Sequence, residues 1–133
     1  MTTPDRATLD ALVMAAREAR QHAHAPYSGF RVGAAVAVRS VVFRGANVEN
    51  ASYPLSLCAE RAAVAAAVTA GHARIDAVAV ATEAPPVVPC GGCLQVLAEF
   101  GSPDMPVLSV GEEGEAVVRT LSELLPEPFG GEA

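Results

Sequence analysis

Three cysteines in two separate segments limit the folds that this chain can adopt. Cys90 and Cys93 form a Cys-x-x-Cys motif that follows Pro89, and Cys58 precedes an alanine-rich segment. At the start of a helix, this spacing places both sulfurs on the first turn, where the helix dipole lowers thiol pKa values. Because Cys58 also falls at a predicted helix start, two helix N-termini can direct three sulfurs at one metal ion. The fold must therefore bring these two helix starts together.

The three-cysteine set leaves one position of a tetrahedral metal site open. Structural zinc sites are closed by four ligands, whereas catalytic sites keep a position for water. His22, His24 and His72 have no ligand-like spacing to a cysteine, so we interpret them as surface residues. Glu60 follows Cys58 by two residues and would lie beside the metal, where a carboxylate can take a proton from activated water. The thiolate-rich set favours Zn²⁺.

Arg61, next to Glu60, is predicted to donate hydrogen bonds to the cysteine thiolates. Three thiolates and a hydroxide carry more charge than zinc neutralises, and a guanidinium would withdraw part of the excess. A solvent-facing Arg61 is the alternative. For the cysteines, the alternatives are inert buried thiols or a redox pair. A redox pair explains neither Cys58 nor Glu60, and an inert core explains none of the spacings.

The order of the predicted elements indicates an α/β fold. Thr3 and Pro4 are typical of an N-cap and a first helical residue, and the apolar spacing extends this helix to His24. Two strands follow, joined by a tight turn at Arg39-Ser40, and then helix, strand, helix, strand and strand. The strand at 75–82 is nearly all apolar, as in strands covered on both faces. We therefore expect a three-layer α-β-α sandwich with a mixed sheet of about five strands.

Composition limits the partners and the compartment that we expect. The 133 residues suffice for one domain, spanning residues 1–133. With a net charge of -6 and no basic run, the chain is a poor candidate for binding nucleic acid. No apolar span approaches the roughly 20 residues of a transmembrane helix, and the first residues lack the apolar segment of a secretory signal. We expect a cytoplasmic protein that does not associate with membranes.

Several ordered segments resemble the small, homotetrameric cytidine deaminase family. The two cysteine segments match the signature of zinc deaminases, a His or Cys followed by x-Glu and later by Pro-Cys-x-x-Cys. Further similar segments are 25–34, 45–51 and 123–126, the last followed by Phe129. The resemblance therefore covers nearly the whole chain, and it is more specific than a lone Cys-x-x-Cys.

The resemblance implies a reaction, a metal and an assembly. It implies hydrolytic deamination of cytidine and deoxycytidine to uridine and deoxyuridine in pyrimidine salvage, with one Zn²⁺ per subunit. The implied zinc ligands are Cys58, Cys90 and Cys93, with Glu60 as the catalytic proton shuttle. The implied assembly is a homotetramer whose active sites are completed by neighbouring subunits.

The resemblance also implies roles in substrate binding. Asn47 and Glu49 would hydrogen-bond the sugar hydroxyls, and Phe30 would pack against the pyrimidine. The backbone of Ala59 would help to hold the base, and Tyr53 would border the site. Phe129 would reach the active site of a neighbouring subunit.

One departure from the family and three alternatives bear on this interpretation. Leu94 stands where the family commonly has Arg after the last cysteine, which puts any tuning by that Arg in doubt. A related deaminase could act on a modified nucleoside, such as a blasticidin-type antibiotic. A base editor of RNA or DNA is a second alternative, against which the acidic charge argues. A non-catalytic, zinc-stabilised module is the third, and it would need a closed fourth ligand.

Overall fold

A computed structural model describes residues 4–130, and within them the elements follow the predicted order. The helices are α1 (Arg6–Arg20), α2 (Ala59–Thr69), α3 (Gly91–Phe100) and α4 (Leu121–Leu124), with a short 3-10 helix at Tyr53–Leu55. The strands are β1 (Gly33–Val38), β2 (Val41–Ala46), β3 (Ala77–Ala81), β4 (Pro106–Val110) and β5 (Val117–Thr120). They form one sheet with the order β2-β1-β3-β4-β5. None of the helices in this part of the chain has the length and hydropathy needed to cross a membrane.

The sheet combines antiparallel and parallel pairing. β1 pairs antiparallel with both β2 and β3, β3 pairs parallel with β4, and β4 pairs antiparallel with β5. Parallel neighbours require a crossover connection, and α3 supplies it between β3 and β4. The predicted turn at Arg39-Ser40 joins β1 to β2. Arg39 takes a left-handed φ of 58° there, and its backbone N–H donates to the Asp76 carboxylate at 2.7 Å.

Helices cover both faces of the sheet, which confirms the expected α-β-α sandwich. On one face, Leu12 and Ala16 of α1 share a core with the alanines of β1 and β3. On the other face, Ala63 of α2 and Leu97 of α3 share a core with the valines of the same strands. β1 and β3 are buried along their whole length. This explains why their sequences are continuous apolar runs rather than alternating ones.

The first helix is shorter than its apolar spacing predicts. It begins after Asp5, whose carboxylate accepts a hydrogen bond from the Thr8 backbone N–H at 2.9 Å and so caps the helix. The predicted cap, Thr3, lies outside the described residues. The helix also ends before His24, because His24 forms a β-bridge with Val48 and continues towards the edge of the sheet.

Two glycines allow helices to approach the sheet at backbone distance. At Gly45 in β2, an added Cβ would lie 2.6 Å from the Ala59 carbonyl oxygen and closer still to the backbone nitrogen of Ala63. At Gly33 in β1, an added Cβ would overlap the backbone of α1 at Ala16. The missing side chain at Gly45 therefore sets how closely the first turn of α2 lies on the sheet.

Candidate metal centre and adjoining cavity

The three cysteine side chains converge between two helix starts. Cys58 is the N-cap of α2, Cys90 is the N-cap of α3, and Cys93 lies in the first turn of α3. Their sulfur atoms all lie within 4.8 Å of one another. The sequence pattern predicts this convergence, and the fold achieves it by packing α2 and α3 on the same face of the sheet.

This sulfur set suits a zinc ion. Zn–S bonds are about 2.3 Å long, so sulfurs around a tetrahedral ion lie about 3.8 Å apart, which is compatible with sulfurs that all lie within 4.8 Å of one another. Among residues 4–130, no histidine or carboxylate joins the three cysteines in a group that could hold a metal. Three ligands leave one tetrahedral position open, which is the pattern of catalytic rather than structural zinc sites.

The two thiols of α3 differ in how easily they ionise. The pKa of the Cys90 thiol is lowered, chiefly by the backbone N–H of Cys93, although this contact lacks the geometry of a capping hydrogen bond. Burial raises the pKa of the Cys93 thiol, and the neighbouring Glu60 carboxylate raises it further. A divalent cation among the sulfurs favours the thiolate form and would offset both effects on Cys93.

Arg61 contacts the sulfur set from α2. Its Nη2 lies 3.5 Å from the sulfur of Cys58 and donates to the carbonyl oxygen of Ser56 at 3.3 Å. The hydrogen bond to the Cys58 thiolate raises the pKa of the guanidinium, which therefore keeps its charge. Its buried Nε has no partner among the described residues, so one donor remains for a further acceptor. This contact favours the charge-withdrawing role over a solvent-facing side chain.

Glu60 lies in the first turn of α2 and is 6% exposed. Burial raises the pKa of its carboxyl group, because the low-dielectric surroundings penalise the charged form. The side chain lines the same cavity as the three cysteines but does not belong to the ligand group. A buried carboxyl group with a raised pKa, beside an open metal position, can accept a proton and return it.

The cavity above the sulfurs has a volume of about 310 Å³. That volume lies at the lower end of the range for small-molecule sites. Of the residues proposed from the sequence, Phe30, Asn47, Glu49, Ala59 and Glu60 line it together with the cysteines. The sequence analysis missed the other lining residues, Val32, Ser56, Leu57, Val80, Val87 and Val88. Most of these are apolar, and an apolar residue carries no chemical signal that separates a cavity wall from core.

Asn47 uses part of its amide to hold the segment that carries Phe30. Its Nδ2 donates to the Phe30 carbonyl oxygen at 2.8 Å, and its Oδ1 accepts from the Val32 backbone N–H at 2.9 Å. These bonds add to the backbone hydrogen bond from the Asn47 N–H to the Val32 carbonyl oxygen at 3.1 Å, and together they fix the segment just before β1. One donor and one acceptor position of the amide remain for a ligand.

Glu49 is held by the turn that precedes Phe30. Its Oε1 accepts from the backbone N–H groups of Tyr27, at 2.9 Å, and of Ser28, at 3.1 Å. Its Oε2 accepts from the hydroxyl of Ser28. The Ser28 hydroxyl is the main reason why the pKa of the Glu49 carboxyl group is lowered. The sequence analysis did not single out Ser28.

Two of the residues proposed to bind substrate do not line the cavity within this chain. Tyr53 borders a neighbouring depression of about 300 Å³, which shares Glu49 and Ser56 with the main cavity. Phe129 is 88% exposed. Its backbone is held by the Gln95 side chain, which donates to the Phe129 carbonyl oxygen at 3.1 Å and accepts from its N–H at 3.0 Å. The Phe129 ring is thus presented to solvent from a fixed backbone.

Leu94 does not take part in the metal site. It is buried in the apolar core shared by α2, α3 and the sheet. A charged Arg at this position would need a partner in that core. Leu94, which replaces the Arg common in the family, is therefore accommodated by apolar packing. Within residues 4–130, the one guanidinium that contacts the sulfurs belongs to Arg61.

Comparisons with known proteins agree with this geometry. A family model described as the cytidine and deoxycytidylate deaminase zinc-binding region matches residues 6–109. The chain is similar to the cytidine deaminase of Halalkalibacterium halodurans, with 45% identity over 123 residues, 91% of this chain and 93% of that protein. It is 40% identical over 126 residues to the cytidine deaminase of Sporosarcina psychrophila, covering 93% of each. The crystal structure of cytidine deaminase from Burkholderia pseudomallei is similar with a TM-score of 0.85 and 45% identity, covering 90% of this chain and 98% of that one.

Proposed function

This chain belongs to the zinc-binding cytidine and deoxycytidylate deaminase family, and we propose that it hydrolyses cytidine and deoxycytidine to uridine and deoxyuridine. The observation that carries the proposal is the Glu60 carboxyl group, buried in one cavity with three converging cysteine sulfurs. The open fourth position distinguishes this centre from a structural zinc module. The relatives that share nearly its full length are named cytidine deaminases.

In the proposed reaction, Glu60 carries the protons. When bound, zinc supplies the Lewis acid that makes water nucleophilic near neutral pH. Glu60 accepts the proton that the attacking water loses and delivers it to N3 of the base as the new bond to C4 forms. The same carboxyl group then takes the proton of the new C4 hydroxyl and gives it to the amino group, so that the C4–N bond breaks, ammonia leaves and the C4 carbonyl of the product forms. The raised pKa of Glu60 suits this exchange, because a carboxyl group that ionises closer to neutral pH both accepts and donates readily.

The cavity walls support recognition of a nucleoside. Phe30 offers an aromatic face on one side, and the backbone of Ala59 lies next to Glu60 at the start of α2. Asn47 and the negatively charged Glu49, which are hydrogen-bonded to the segment that carries Phe30, provide polar atoms that suit sugar hydroxyls. The net charge of -6 favours a free nucleoside over a base within a polynucleotide, whose phosphates require clustered basic residues.

We also propose the assembly and setting that the resemblance implies. The protein is a homotetramer in the cytoplasm, acts in pyrimidine salvage, and forms a single catalytic domain over residues 1–133. The exposed Phe129 ring, on a backbone fixed by Gln95, supports a role in completing the active site of a neighbouring subunit.

A kinetic comparison of wild type and Glu60→Gln tests the reaction. Conversion of cytidine to uridine is followed by ultraviolet absorbance, and zinc is measured in the same samples. The wild type should deaminate cytidine and deoxycytidine, whereas Glu60→Gln should keep one zinc per chain and lose at least about 10³-fold in kcat. A zinc-loaded, folded wild type that leaves both nucleosides unchanged would contradict the proposed function. Equal loss of zinc in the variant would contradict the proton-shuttle role.

Mixing the inactive Glu60→Gln variant with Phe129→Ala, which should bind cytidine more weakly, tests the shared site. In a tetramer whose sites are completed across subunits, Glu60→Gln still supplies Phe129, and Phe129→Ala still supplies Glu60. Co-refolded mixtures should therefore recover part of the wild-type kcat/KM. A mixture no more active than the average of its components would contradict the shared site, and elution as a monomer would contradict the tetramer.

A further inference from the structure

The Glu49 carboxylate already accepts three hydrogen bonds before any ligand is present. Oε1 accepts from the backbone N–H groups of Tyr27 and Ser28, and Oε2 accepts from the Ser28 hydroxyl. A carboxylate offers about four acceptor positions. Three are filled within the chain, and the position that remains is on Oε2, the oxygen that the hydroxyl holds.

The direction of the Ser28 hydroxyl is itself fixed. Its oxygen accepts from the Phe30 backbone N–H at 2.9 Å. A hydroxyl has a single proton to donate, and the bond from Phe30 orients the group so that this proton is directed to Glu49. Gly29, between the two residues, makes this close turn possible with a φ of 73°. The bonds form a short chain from Phe30 through Ser28 to Glu49, and such chains polarise and strengthen one another.

The residues at the two ends of this hydrogen-bond chain both line the cavity. Phe30 and Glu49 line the cavity, whereas Ser28 lies outside it, in the neighbouring depression. Without the hydroxyl, Oε2 would lose its only partner among the described residues, while both backbone bonds to Oε1 would remain. The carboxylate would then stay attached but would be free to rotate about that attachment.

We infer that Ser28 is a positioning residue, which orients Oε2 of Glu49 so that its one free acceptor position receives a sugar hydroxyl of the substrate. This inference rests on the proposed nucleoside substrate. Ser28 acts on binding and not on the proton transfers at Glu60, because its only side-chain contacts in residues 4–130 are with Glu49 and Phe30. The lowered pKa of Glu49 agrees with the contact.

Kinetics on two nucleosides test the inference. Ser28→Ala should raise KM for cytidine about tenfold and change kcat less than about twofold, because the lost orientation weakens a hydrogen bond to a charged group. The same variant should leave kcat/KM for 2′,3′-dideoxycytidine within about twofold of wild type, since that nucleoside has no hydroxyl for Glu49 to accept. Ser28→Thr keeps the hydroxyl and should restore most of the affinity.

Two controls separate positioning from folding. Ser52→Ala removes an exposed hydroxyl of the nearby loop that makes no capping bond, and it should behave as wild type on both nucleosides. In a Glu49→Gln background, Ser28→Ala should add little further loss, because the two residues act through one contact. Equal losses on cytidine and dideoxycytidine, or additive losses in the double variant, would overturn the inference.

A titration of Glu49 gives a readout that does not depend on turnover. The carboxyl carbon of Glu49, followed by NMR in the zinc-loaded protein, should titrate at a higher pH in Ser28→Ala than in wild type and Ser52→Ala. An unchanged titration would overturn the inference even if KM rises. Failure of the proposed function would instead appear as a wild type that deaminates neither nucleoside. In that case the titration alone decides whether the Ser28 hydroxyl holds the Glu49 carboxylate.

Discussion

Replacing Gly45 with alanine should distort the metal site, because the added methyl group would push on the first turn of α2 from the sheet. The added Cβ would lie 2.6 Å from the Ala59 carbonyl oxygen, whereas ordinary contact begins at 3.4 Å. The first turn of α2 must therefore retreat by roughly 0.8 Å or more, since a backbone neighbour cannot rotate away. Overpacking of this kind costs about 1–3 kcal/mol, and we expect the upper end. For a chain of this size, that lowers Tm by about 10 °C.

The same displacement moves Cys58 and Glu60 relative to the two cysteines of α3. A misplacement of about 1 Å in a catalytic constellation can cost on the order of 100-fold in rate. Gly45→Ala should therefore lower kcat/KM about 100-fold per folded chain and weaken zinc retention. Thermal unfolding, zinc content after dialysis against a weak chelator, and cytidine kinetics measure the three effects on one preparation.

Gly33→Ala is the matched control for this prediction. Its added Cβ would overlap the backbone of α1, on the face of the sheet that carries no cysteine. It should lower Tm by a similar amount and leave zinc content and kcat/KM per folded chain within about threefold of wild type. Our reasoning would be refuted if Gly45→Ala retained full zinc and activity, or if Gly33→Ala lost zinc to the same extent.

Three further predictions concern the metal, the tail and the first helix. Cys93→Ser should lose zinc and lower Tm by more than about 10 °C, and a chelator that destabilises the wild type should no longer change it. Gln95→Glu removes the donor to the Phe129 carbonyl oxygen, so it should raise KM for cytidine at least about threefold with little change in kcat. Adding Phe129→Ala to this variant should raise KM little further, because both changes act through the Phe129 ring. Asp5→Ala should lower Tm by a few degrees near neutral pH. The Thr8 N–H lowers the pKa of Asp5, so this stabilisation is present above the ordinary carboxyl pKa and is lost as the pH falls through the folded value. The Tm difference should therefore shrink as the protein is acidified.

The metal-site geometry was predictable because its signals are local. Short sequence spacings are enough to recognise a Cys-x-x-Cys motif at one helix start and the pair Cys58 and Glu60 at the start of another. The central strands were also predictable, since a run such as 75–82, which is nearly all apolar, is typical of a strand covered on both faces. The resemblance to a known family then supplied roles that the spacings alone do not contain.

The part of the cavity wall that we propose binds the sugar was not predictable in its details. Its geometry depends on side chains that bond to the backbone of a different segment, as Asn47 does at Phe30 and Glu49 does at Tyr27. Serine is common in turns, so Ser28 gives no signal until the fold brings it to Glu49. The start of α1 shows the same limit on a smaller scale, because Thr3 and Asp5 are both residue types that cap helices and apolar periodicity cannot choose between them.

The start of each cysteine-bearing helix is occupied by a thiol where an ordinary helix would have Ser, Thr, Asp or Asn. Neither Cys58 nor Cys90 caps its helix in the usual way. One zinc ion would hold the thiolates of both helix starts in place at once and so join α2 to α3. We therefore expect the cellular abundance of this protein, and not only its activity, to follow zinc supply. A newly made chain that fails to acquire the ion exposes two poorly capped helices together, and quality-control proteases would remove it before an inactive pool accumulates.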